Sequence, residues 1–407
     1  MSAPDVRRPP HDTSDAPAAR SGPAASATAP DVRRPPHDTS DAPAARSHRD
    51  TSAPAPTAPD GRRTGTDTSD APPARSGPGT SATGLILLNL GGPADLASIR
   101  PFLDALFADR EIIRLPGGAI GQWLLSRIIV RARLAKVRSY YAAIGGGSPI
   151  LKYTTGQGEG LARRLDARRP DLAPFKPYVA FRYAPPTSDD ALRAMQRDGV
   201  KRAVVLTLYP QYSVATTGSS LRELDRALVR TGLRGAFELA TIDRWSERSS
   251  YLDVLAAHVE EGLAAFPDGR GHGAVVLMSA HSLPMSFVNE GDPYPAEIEA
   301  TFRGVLARLG EPRPRCLLAY QSQTGPVAWL GPQTSDVIRE LGREGRRDVL
   351  VAPIAFVSDH IETLYEIDVM FAEEAKAAGI ANFRRAESLN LDPRFLDALA
   401  DVVEAAL

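Results

Sequence analysis

The sequence predicts an α/β fold made of two doubly wound halves, each with a parallel sheet flanked by helices. Six apolar runs of strand length alternate with amphipathic helical patterns over residues 84–407. Strands of a parallel sheet are buried on both faces, so they are apolar throughout instead of alternating with polar residues. The folded segment is longer than one hydrophobic core usually serves, which indicates two domains.

The elements follow in chain order from these runs. The predicted strands are GLILLNL (84–90), YVAFRY (178–183), AVVLTLYP (203–210), AVVLMSAH (274–281), CLLAYQS (316–322) and DVLVAPIAFV (348–357). The predicted helices cover 187–197, 218–231, 249–265, 294–308, 333–342, 361–377 and 392–405. We place the domain divide near residue 250, giving domains 84–250 and 251–407, with a last helix able to cross back onto the first domain.

Residues 1–83 have a different composition from the rest. APDVRRPPHDTSDAPAARS occurs at 3–21 and again at 29–47, and a diverged third copy occupies 58–76. The segment has no aromatic residue, Leu or Ile, so it cannot bury enough apolar surface to offset its conformational entropy. We predict a disordered Pro/Ala/Arg/Asp-rich tail; a tether for an unknown partner, or a start codon assigned too far upstream, are the alternatives.

Overall composition excludes several classes of protein. A net charge of −1 argues against nucleic-acid binding through bulk electrostatics. The single cysteine, Cys316, excludes an internal disulfide and a thiolate-only zinc or iron–sulfur site, and suits a reducing compartment. There is no run of 18 apolar residues and no apolar core of a secretory signal. We therefore expect a cytoplasmic protein.

Polar residues cluster where two predicted strands end, and ligands bind at this end of open α/β sheets. His281 closes the run 274–281, and SDHIETLYEID follows the run 348–357. Glu362 and Glu366 are four residues apart and share a face of the predicted helix. Nitrogen and carboxylate ligands together suit a divalent ion such as Fe²⁺. The alternatives are a structural histidine and an acidic first helical turn stabilised by the helix dipole.

A stretch without acidic residues lies between Glu111 and Glu159. Within it, residues 119–139 combine Arg and Lys with apolar residues at helical spacing: Ile120, Trp123, Leu124, Ile128 and Leu134. This pattern is typical of a membrane-surface helix or a clamp for an anionic ligand; a core-packed helix with a basic solvated face is the alternative. IGGGSPI (144–150) follows, with glycines that allow close backbone approach to a ligand, but it opens no clear helix.

Together these motifs resemble the ferrochelatases, which insert Fe²⁺ into a porphyrin in the last step of haem biosynthesis. The resemblance spans 84–407 and rests on LLNLGGP, IGGGSPI, FRYAPPT, YPQYSVATTGSS, SAHSLPMSFVNEGDPYP, YQSQTGPVAWLGPQT, PIAFVSDHIETLYEID and RRAESLN in the expected order. The YQSQTGPVAWLGPQT form looks like that of the protoporphyrin-using branch of proteobacteria and eukaryotes. The resemblance implies two Rossmann-like, chelatase-type domains with the active-site cleft between them.

The resemblance also implies individual roles. Catalytic roles fall on His281 and Glu362, which would both contact the metal, and Glu366 would stand behind Glu362 to accept protons or relay metal. The implied porphyrin-contacting residues are Arg133, Tyr141, Ser148, Arg182, Tyr183 and Trp329. Fe²⁺ and protoporphyrin IX would be substrates, with no permanently bound cofactor. The basic stretch 119–139 would allow peripheral contact with the inner face of the cytoplasmic membrane.

Two positions depart from relatives of this family. Animal relatives hold a [2Fe–2S] cluster with one cysteine in the YPQYS loop and three in a C-terminal extension. Here the loop position is Val214 and the chain ends at Leu407, so we expect no cluster. Some relatives continue the acidic ladder beyond Glu366, where this chain has Met370. The competing functions are a chelatase for coproporphyrin or another metal, and a non-enzymatic porphyrin or haem carrier.

Overall fold

The computed structural model describes residues 81–267 and 273–407. The predicted disordered tail, 1–83, lies outside the described residues except for its last three. Of these, Thr83 already belongs to the first strand, so that boundary was placed one residue too late.

The described residues form two parallel sheets of four strands each. The first contains β1 (Thr83–Asn89), β2 (Phe175–Phe181), β3 (Arg202–Thr207) and β4 (Glu238–Ile242), in the order β2-β1-β3-β4. The second contains β5 (Val275–His281), β6 (Arg315–Gln321), β7 (Asp348–Pro353) and β8 (Asn382–Arg385), in the order β6-β5-β7-β8. The two halves therefore repeat one topology, and the predicted α/β class is confirmed.

Helices flank both sheets. They are α1 (Ile99–Ala108), α2 (Gly118–Ala143), α3 (Ile150–Arg168), α4 (Ser188–Arg197), α5 (Ser219–Arg230), α6 (Ser249–Ala264), α7 (Met285–Asn289), α8 (Tyr294–Leu306), α9 (Thr334–Arg343), α10 (Ala372–Ala377) and α11 (Pro393–Glu404). Two segments, Val214–Gly218 and Glu362–Phe371, are π-helices. In the described ranges no helix has the length and apolarity needed to cross a membrane.

The sheets are buried on both faces, as their apolar sequences require. In β1, Leu85 and Leu87 face a core shared with α3, α6, α11 and the second sheet, while Ile86 and Leu88 face α4 and α5. All four are at most 1% exposed. Burying each such side chain contributes about 1.5–3 kcal/mol, so the central strands hold each half together.

The last helix packs on α3 of the first half. Gly160 in α3 has no room for a side chain, because a Cβ there would lie 2.6 Å from a methyl carbon of Leu396 in α11. At the edge of the same contact, Arg164 forms a 2.8 Å ion pair with Asp397. Because glycine has no side chain, the two helices can approach closely at this position.

Several elements differ from the sequence prediction. The edge strands β4 and β8 and the helices α1, α3 and α7 were not predicted. The run 348–357 ends as a strand at Pro353, which has no N–H to donate to a neighbouring strand. The predicted helix 361–377 is a π-helix followed by the short α10. IGGGSPI does open a helix, since α3 begins at Ile150. Three glycines inside α3 itself lower its helix propensity, so the sequence did not show a clear helical pattern there.

Candidate active site

His281 stands at the carboxyl end of β5, between the ends of β6 and β7. Its ring Nδ1 lies 2.6 Å from the carbonyl oxygen of Ser282. A carbonyl oxygen can only accept, so Nδ1 carries the proton of the neutral ring and Nε2 keeps its lone pair. Tyr294 donates its hydroxyl to the His281 carbonyl at 3.0 Å. The histidine is therefore fixed with Nε2 available to a proton or a metal ion.

The acidic residues lie on the π-helix that follows β7. Gln321, opposite His281 in the sheet, donates its amide to the Glu362 carbonyl oxygen at 2.9 Å and to the Glu366 carboxylate at 3.0 Å. Ser279 donates to the Gln321 amide oxygen at 2.7 Å, which fixes the orientation of that amide. One glutamine side chain thus ties the π-helix to the strand end beside His281. Isolated π turns are frequent at functional sites.

Glu366 is held in a cradle of hydrogen-bond donors. Besides Gln321, the backbone N–H of Ser322 donates to it at 2.8 Å and the Ser322 hydroxyl makes a short hydrogen bond to the same carboxylate. Burial raises the pKa of Glu366 and the nearby Glu362 raises it further, while the donors and His281 offset part of this rise. The net result is a carboxyl group whose pKa lies above its ordinary value, which favours proton exchange closer to neutrality.

Glu362 is paired with His360. The Nε2 of His360 lies 3.2 Å from a Glu362 carboxylate oxygen, and its Nδ1 lies 2.8 Å from the Ser358 carbonyl oxygen. Because Nδ1 donates to that carbonyl, Nε2 is the ring nitrogen that faces the Glu362 carboxylate. The ring of Phe356 packs between the two histidines, with centroids 6.5 Å from His281 and 4.5 Å from His360.

A second set of contacts, not predicted from the sequence, fixes the two ends of the π-helix. Arg385 in β8 contacts Asp359 at 3.1 Å and both carboxylate oxygens of Asp368 at 2.8 Å. Asp359 also accepts from Thr363 at 2.9 Å, and Asn390 donates its amide to it at 2.8 Å. Arg385 therefore pairs with both the partly buried Asp359 and the exposed Asp368.

Three of the predicted porphyrin contacts come together beside this helix. Arg133 in α2 donates to the Thr324 hydroxyl at 3.2 Å, and Trp329 donates its indole N–H to the Thr324 carbonyl at 3.0 Å. Tyr141 is buried, and burial followed by the nearby Glu362 raises the pKa of its phenol. The C-terminal half of α2 therefore faces both the 322–333 loop and the acidic helix.

Ser148 is placed by close backbone packing. Its N–H donates to the Pro93 carbonyl at 2.7 Å, and a Cβ on Gly92 would lie 2.8 Å from its hydroxyl oxygen. A Cβ on Gly147 would lie 2.1 Å from the Ala94 carbonyl oxygen. The glycine run thus allows approach to the loop after β1, whereas the sequence suggested approach to a ligand.

Arg182 and Tyr183 are engaged in an acidic network. Arg182 contacts Asp109 at 2.5 Å and Glu223 at 2.8 Å, and only 7% of its side chain is exposed. The Tyr183 hydroxyl donates to the same Asp109 at 2.6 Å. The Tyr183 ring belongs to the same apolar cluster as Tyr141. These two residues therefore anchor the segment before α2, with the two terminal guanidinium nitrogens of Arg182 and the Tyr183 hydroxyl already occupied.

In the N-terminal half of α2, polar side chains are buried and apolar side chains are exposed, which is the reverse of an ordinary surface helix. Gln122 and Ser126 are 3% and 5% exposed, whereas Ile120 and Trp123 are 81% and 56% exposed. The Gln122 amide donates to the carbonyls of Phe107 and Ile113, at 2.7 and 2.9 Å, and its oxygen accepts from the N–H of Leu115 at 2.9 Å. The predicted alternative of a helix that packs its apolar residues on the core is wrong for this half.

The described residues contain no group of three or more His, Cys, Asp or Glu side chains arranged to hold a metal ion. The assignment of His281 and Glu362 as contacts for the iron substrate, like the expected absence of an iron–sulfur cluster, stays a prediction.

Comparison with known proteins gives a consistent family. A ferrochelatase family model matches residues 82–407. The chain is 48% identical over 321 residues to ferrochelatase of Geotalea uraniireducens (strain Rf4), covering 79% of this chain and 97% of the relative. It is 46% identical over 322 residues to mitochondrial ferrochelatase of Xenopus laevis, covering 79% and 77%. Among solved structures, SirB from Bacillus subtilis with Fe³⁺ matches with 11% identity and a TM-score of 0.45, covering 80% and 95%.

Proposed function

The chain belongs to the ferrochelatase family, and from this premise we propose how its residues insert Fe²⁺ into protoporphyrin IX in haem biosynthesis. The reaction replaces two pyrrole N–H protons by one Fe²⁺ ion and releases two protons. A site for it needs a base near the macrocycle centre, a path for protons, and walls that hold the macrocycle. We propose that the cleft lies between domains 84–250 and 251–407, with α2 on one side and the ends of β5 and β6 on the other.

His281 is the proposed base or first metal ligand at the macrocycle centre. Its Nδ1 is committed to the Ser282 carbonyl, so Nε2 is the atom that accepts a pyrrole proton or contacts iron. An imidazole fixed in this orientation presents one ring nitrogen with a free lone pair to the macrocycle, as a general base or a metal ligand requires.

Glu362 and Glu366 form the proposed route for the released protons. Glu362 lies within ion-pair distance of His360, and Glu366, with its raised pKa, stands beside it in the Gln321–Ser322 cradle. A proton taken from the macrocycle can therefore pass to a group whose affinity for it is higher than that of an ordinary carboxylate. Glu362 is also the proposed second contact for the incoming Fe²⁺, because it is the first residue of the π-helix that follows β7, the strand beside β5.

The macrocycle itself is held by residues of α2 and the 322–333 loop. Arg133 is exposed and is the proposed partner of a propionate. Trp329 and Phe356 supply apolar walls, and Tyr365 stacks on Tyr140 of α2 with centroids 4.1 Å apart. Binding energy at such walls can be used to bend the porphyrin so that its nitrogen lone pairs become accessible.

The observation that carries this proposal is the convergence of His281 with the acidic pair at neighbouring strand ends. A porphyrin carrier would need Arg133 and the walls, but it would have no use for an acidic pair beside the histidine. The test is anaerobic incubation of the full chain with Fe²⁺ and protoporphyrin IX, followed by absorbance, for wild type and His281→Ala. We expect His281→Ala to lose metallation while porphyrin fluorescence still reports binding.

Two controls sharpen this test. His258→Gln changes a buried histidine that bonds the Glu387 carbonyl and the Asp392 carboxylate, neither of them assigned to iron or porphyrin, and should retain turnover. Replacing protoporphyrin IX by coproporphyrin III, or Fe²⁺ by Co²⁺, separates the two chelatase alternatives. Near-normal turnover by His281→Ala would contradict the catalytic assignment, and binding without any metallation by wild type would favour a carrier.

We also propose that the chain contacts a membrane surface through 119–139. The exposed side chains of Ile120, Trp123, Leu124 and Ile128, between 50% and 81% exposed, form an apolar face flanked by arginines. A basic amphipathic helix of this kind lies in the plane of the interface with its apolar face in the acyl boundary. Such contact would place a poorly soluble porphyrin substrate close to the cleft.

A further inference from the structure

A cavity of about 700 Å³ opens between α1 and the N-terminal half of α2. Arg100, Asp104 and Arg110 line one side of it, and Trp123, Arg127 and Arg131 line the other. None of the residues assigned to porphyrin or iron above lines this cavity. It is therefore a site separate from the residues assigned to porphyrin and iron.

The cavity carries an excess of positive charge. Its four arginines face one carboxylate, that of Asp104, which lies 3.6 Å from Arg100. In the part of the chain that the structure describes, Arg110, Arg127 and Arg131 have no carboxylate within ion-pair distance. Arg127 instead lies over the Trp123 ring, 4.2 Å from its centroid. Three guanidinium groups thus converge on one cavity without a counterion, which suits an anion able to accept several hydrogen bonds.

The surroundings of the cavity identify the rest of the ligand. Arg127 and Arg131 lie on the flank of α2 that also carries the exposed side chains of Ile120, Leu124 and Ile128. These apolar side chains stand outside the cavity and are at least half exposed. A compact anion such as inorganic phosphate would leave them in water. A ligand that joins an anionic group to flexible apolar chains would satisfy both surfaces together.

We propose that this cavity binds the phosphate headgroup of an anionic phospholipid while the adjacent apolar side chains enter the acyl region. The inference rests on the membrane contact proposed above and adds a defined headgroup site to it. A bilayer supplies both the phosphate and the apolar phase at fixed spacing. A basic residue close to an anionic bilayer surface increases partition several-fold, so three together give about a hundredfold.

The test uses the full chain and two vesicle types, phosphatidylcholine alone and an equal mixture with phosphatidylglycerol. The variant Arg110→Gln/Arg127→Gln/Arg131→Gln removes the three unpaired cavity charges. Arg163→Gln/Arg193→Gln/Arg197→Gln is the matched control, because it removes three exposed arginines of α3 and α4 that also lack a carboxylate partner within the described ranges. We expect the cavity variant to lose about a hundredfold in partition onto the mixed vesicles and little on phosphatidylcholine, with the control close to wild type. Thermal unfolding of both variants checks that they fold.

A second measurement separates a headgroup site from attraction to a charged surface. Dihexanoylphosphatidylglycerol, kept below its micelle concentration, should change the fluorescence of Trp123 in wild type but not in the cavity variant, and dihexanoylphosphatidylcholine should have a much weaker effect. Equal losses in both triple variants, or no response to the short-chain anionic lipid, would overturn the headgroup site while leaving the membrane contact in place. Failure of wild type to bind either vesicle would overturn both.

Discussion

The Glu366 carboxylate is bonded by both the backbone N–H and the hydroxyl of Ser322. Ser322 follows β6 directly and has a φ of +67°, a left-handed conformation that non-glycine residues seldom adopt. That conformation turns its N–H and hydroxyl toward the same carboxylate. The geometry of the acidic helix therefore depends on a residue that carries no charge and belongs to another strand end.

Removing the Ser322 hydroxyl should loosen Glu366 without removing its charge. A hydrogen bond to a charged group contributes about 1.5–3 kcal/mol, so Ser322→Ala should lower kcat by about tenfold or more with porphyrin affinity unchanged. Ser322→Gly also lacks the hydroxyl but relieves the left-handed backbone, and should be more stable than Ser322→Ala by about 1 kcal/mol. Steady-state metallation and urea unfolding measure the two effects. If Ser322→Gly restored turnover, backbone strain and not the hydroxyl would be the cause.

The raised pKa of Glu366 predicts a pH-dependent difference in stability. The folded chain holds the Glu366 proton to a higher pH than the unfolded chain does, so this group stabilises the fold fully below its unfolded pKa. That contribution is lost as pH rises through the folded pKa. Glu366→Gln cannot ionise, so its free energy of unfolding relative to wild type should increase as pH rises from the ordinary pKa of a glutamate through the higher folded value. A relative stability that stays constant over this range would contradict the raised pKa.

Arg385 should position the π-helix. Arg385→Met leaves Asp359 and Asp368 without their shared partner, and an uncompensated buried charge costs about 3–5 kcal/mol. Arg385→Lys keeps the charge but cannot reach both carboxylates with fixed geometry, so we expect a smaller loss of stability and a fall in kcat with little change in KM. Chemical unfolding and metallation kinetics measure these. Arg394 pairs with Glu261 and Asp392 away from the cleft, so Arg394→Lys is the control.

The stability contributed by Asp359 and its partners should decrease at acidic pH. Burial of Asp359 raises its pKa, but Arg385, Asn390, Ser388 and Thr363 together hold that pKa below its ordinary value. Stability from this group is present above the unfolded pKa of an aspartate and is lost as pH falls through the lower folded value. Arg385→Met should therefore flatten the acid limb of the stability profile, and a profile parallel to that of wild type would argue against the ion pair.

The sequence predicted the central strands and missed two of the four edge strands, β4 and β8, for a physical reason. β1 and β5 are continuous apolar runs because both of their faces are buried. β4 and β8, with sequences ELATI and NFRR, are short and half-exposed edge strands that have no such run. The strand-end rule placed His281 beside the acidic helix, and applied to YQS it could also have found Gln321 and Ser322.

The π-helical geometry of Glu362–Phe371 could not be predicted from the sequence. The residues of ETLYEIDVMF have ordinary helix propensities, so nothing local favours a wider turn. The contacts that join it to the second sheet come from residues distant in sequence: Gln321 bonds the Glu362 carbonyl, and Arg385 holds Asp359 and Asp368. Tertiary contacts of this kind are invisible in a local pattern, which is why an α-helix was predicted over 361–377.

Because the N-terminal half of α2 buries polar side chains and exposes apolar ones, substitutions at neighbouring positions should differ in their effect on stability. Gln122→Leu leaves two carbonyls and one N–H without their partner, so it should destabilise the fold by about 2–4 kcal/mol. Ile120→Gln changes a side chain that is 81% exposed and should alter stability by less than about 0.5 kcal/mol. The same Ile120→Gln change should weaken flotation with vesicles. Destabilisation by Ile120→Gln comparable to that of Gln122→Leu would show that the apolar face is buried in solution.

Two glycines of the run before α3 are required for different physical reasons. Gly147 needs space, since a Cβ would lie 2.1 Å from the Ala94 carbonyl oxygen, whereas Gly146 has open space but a φ of +97°. Gly146→Ala should cost about 1–2 kcal/mol from backbone strain alone and leave the loop in place. Gly147→Ala must push the loop off the segment after β1, which moves the adjacent Ser148, and should raise KM for the porphyrin as well as lower stability. Porphyrin fluorescence titration and thermal unfolding measure the two quantities. Equal porphyrin affinity in both variants would mean that Ser148 does not contact the substrate.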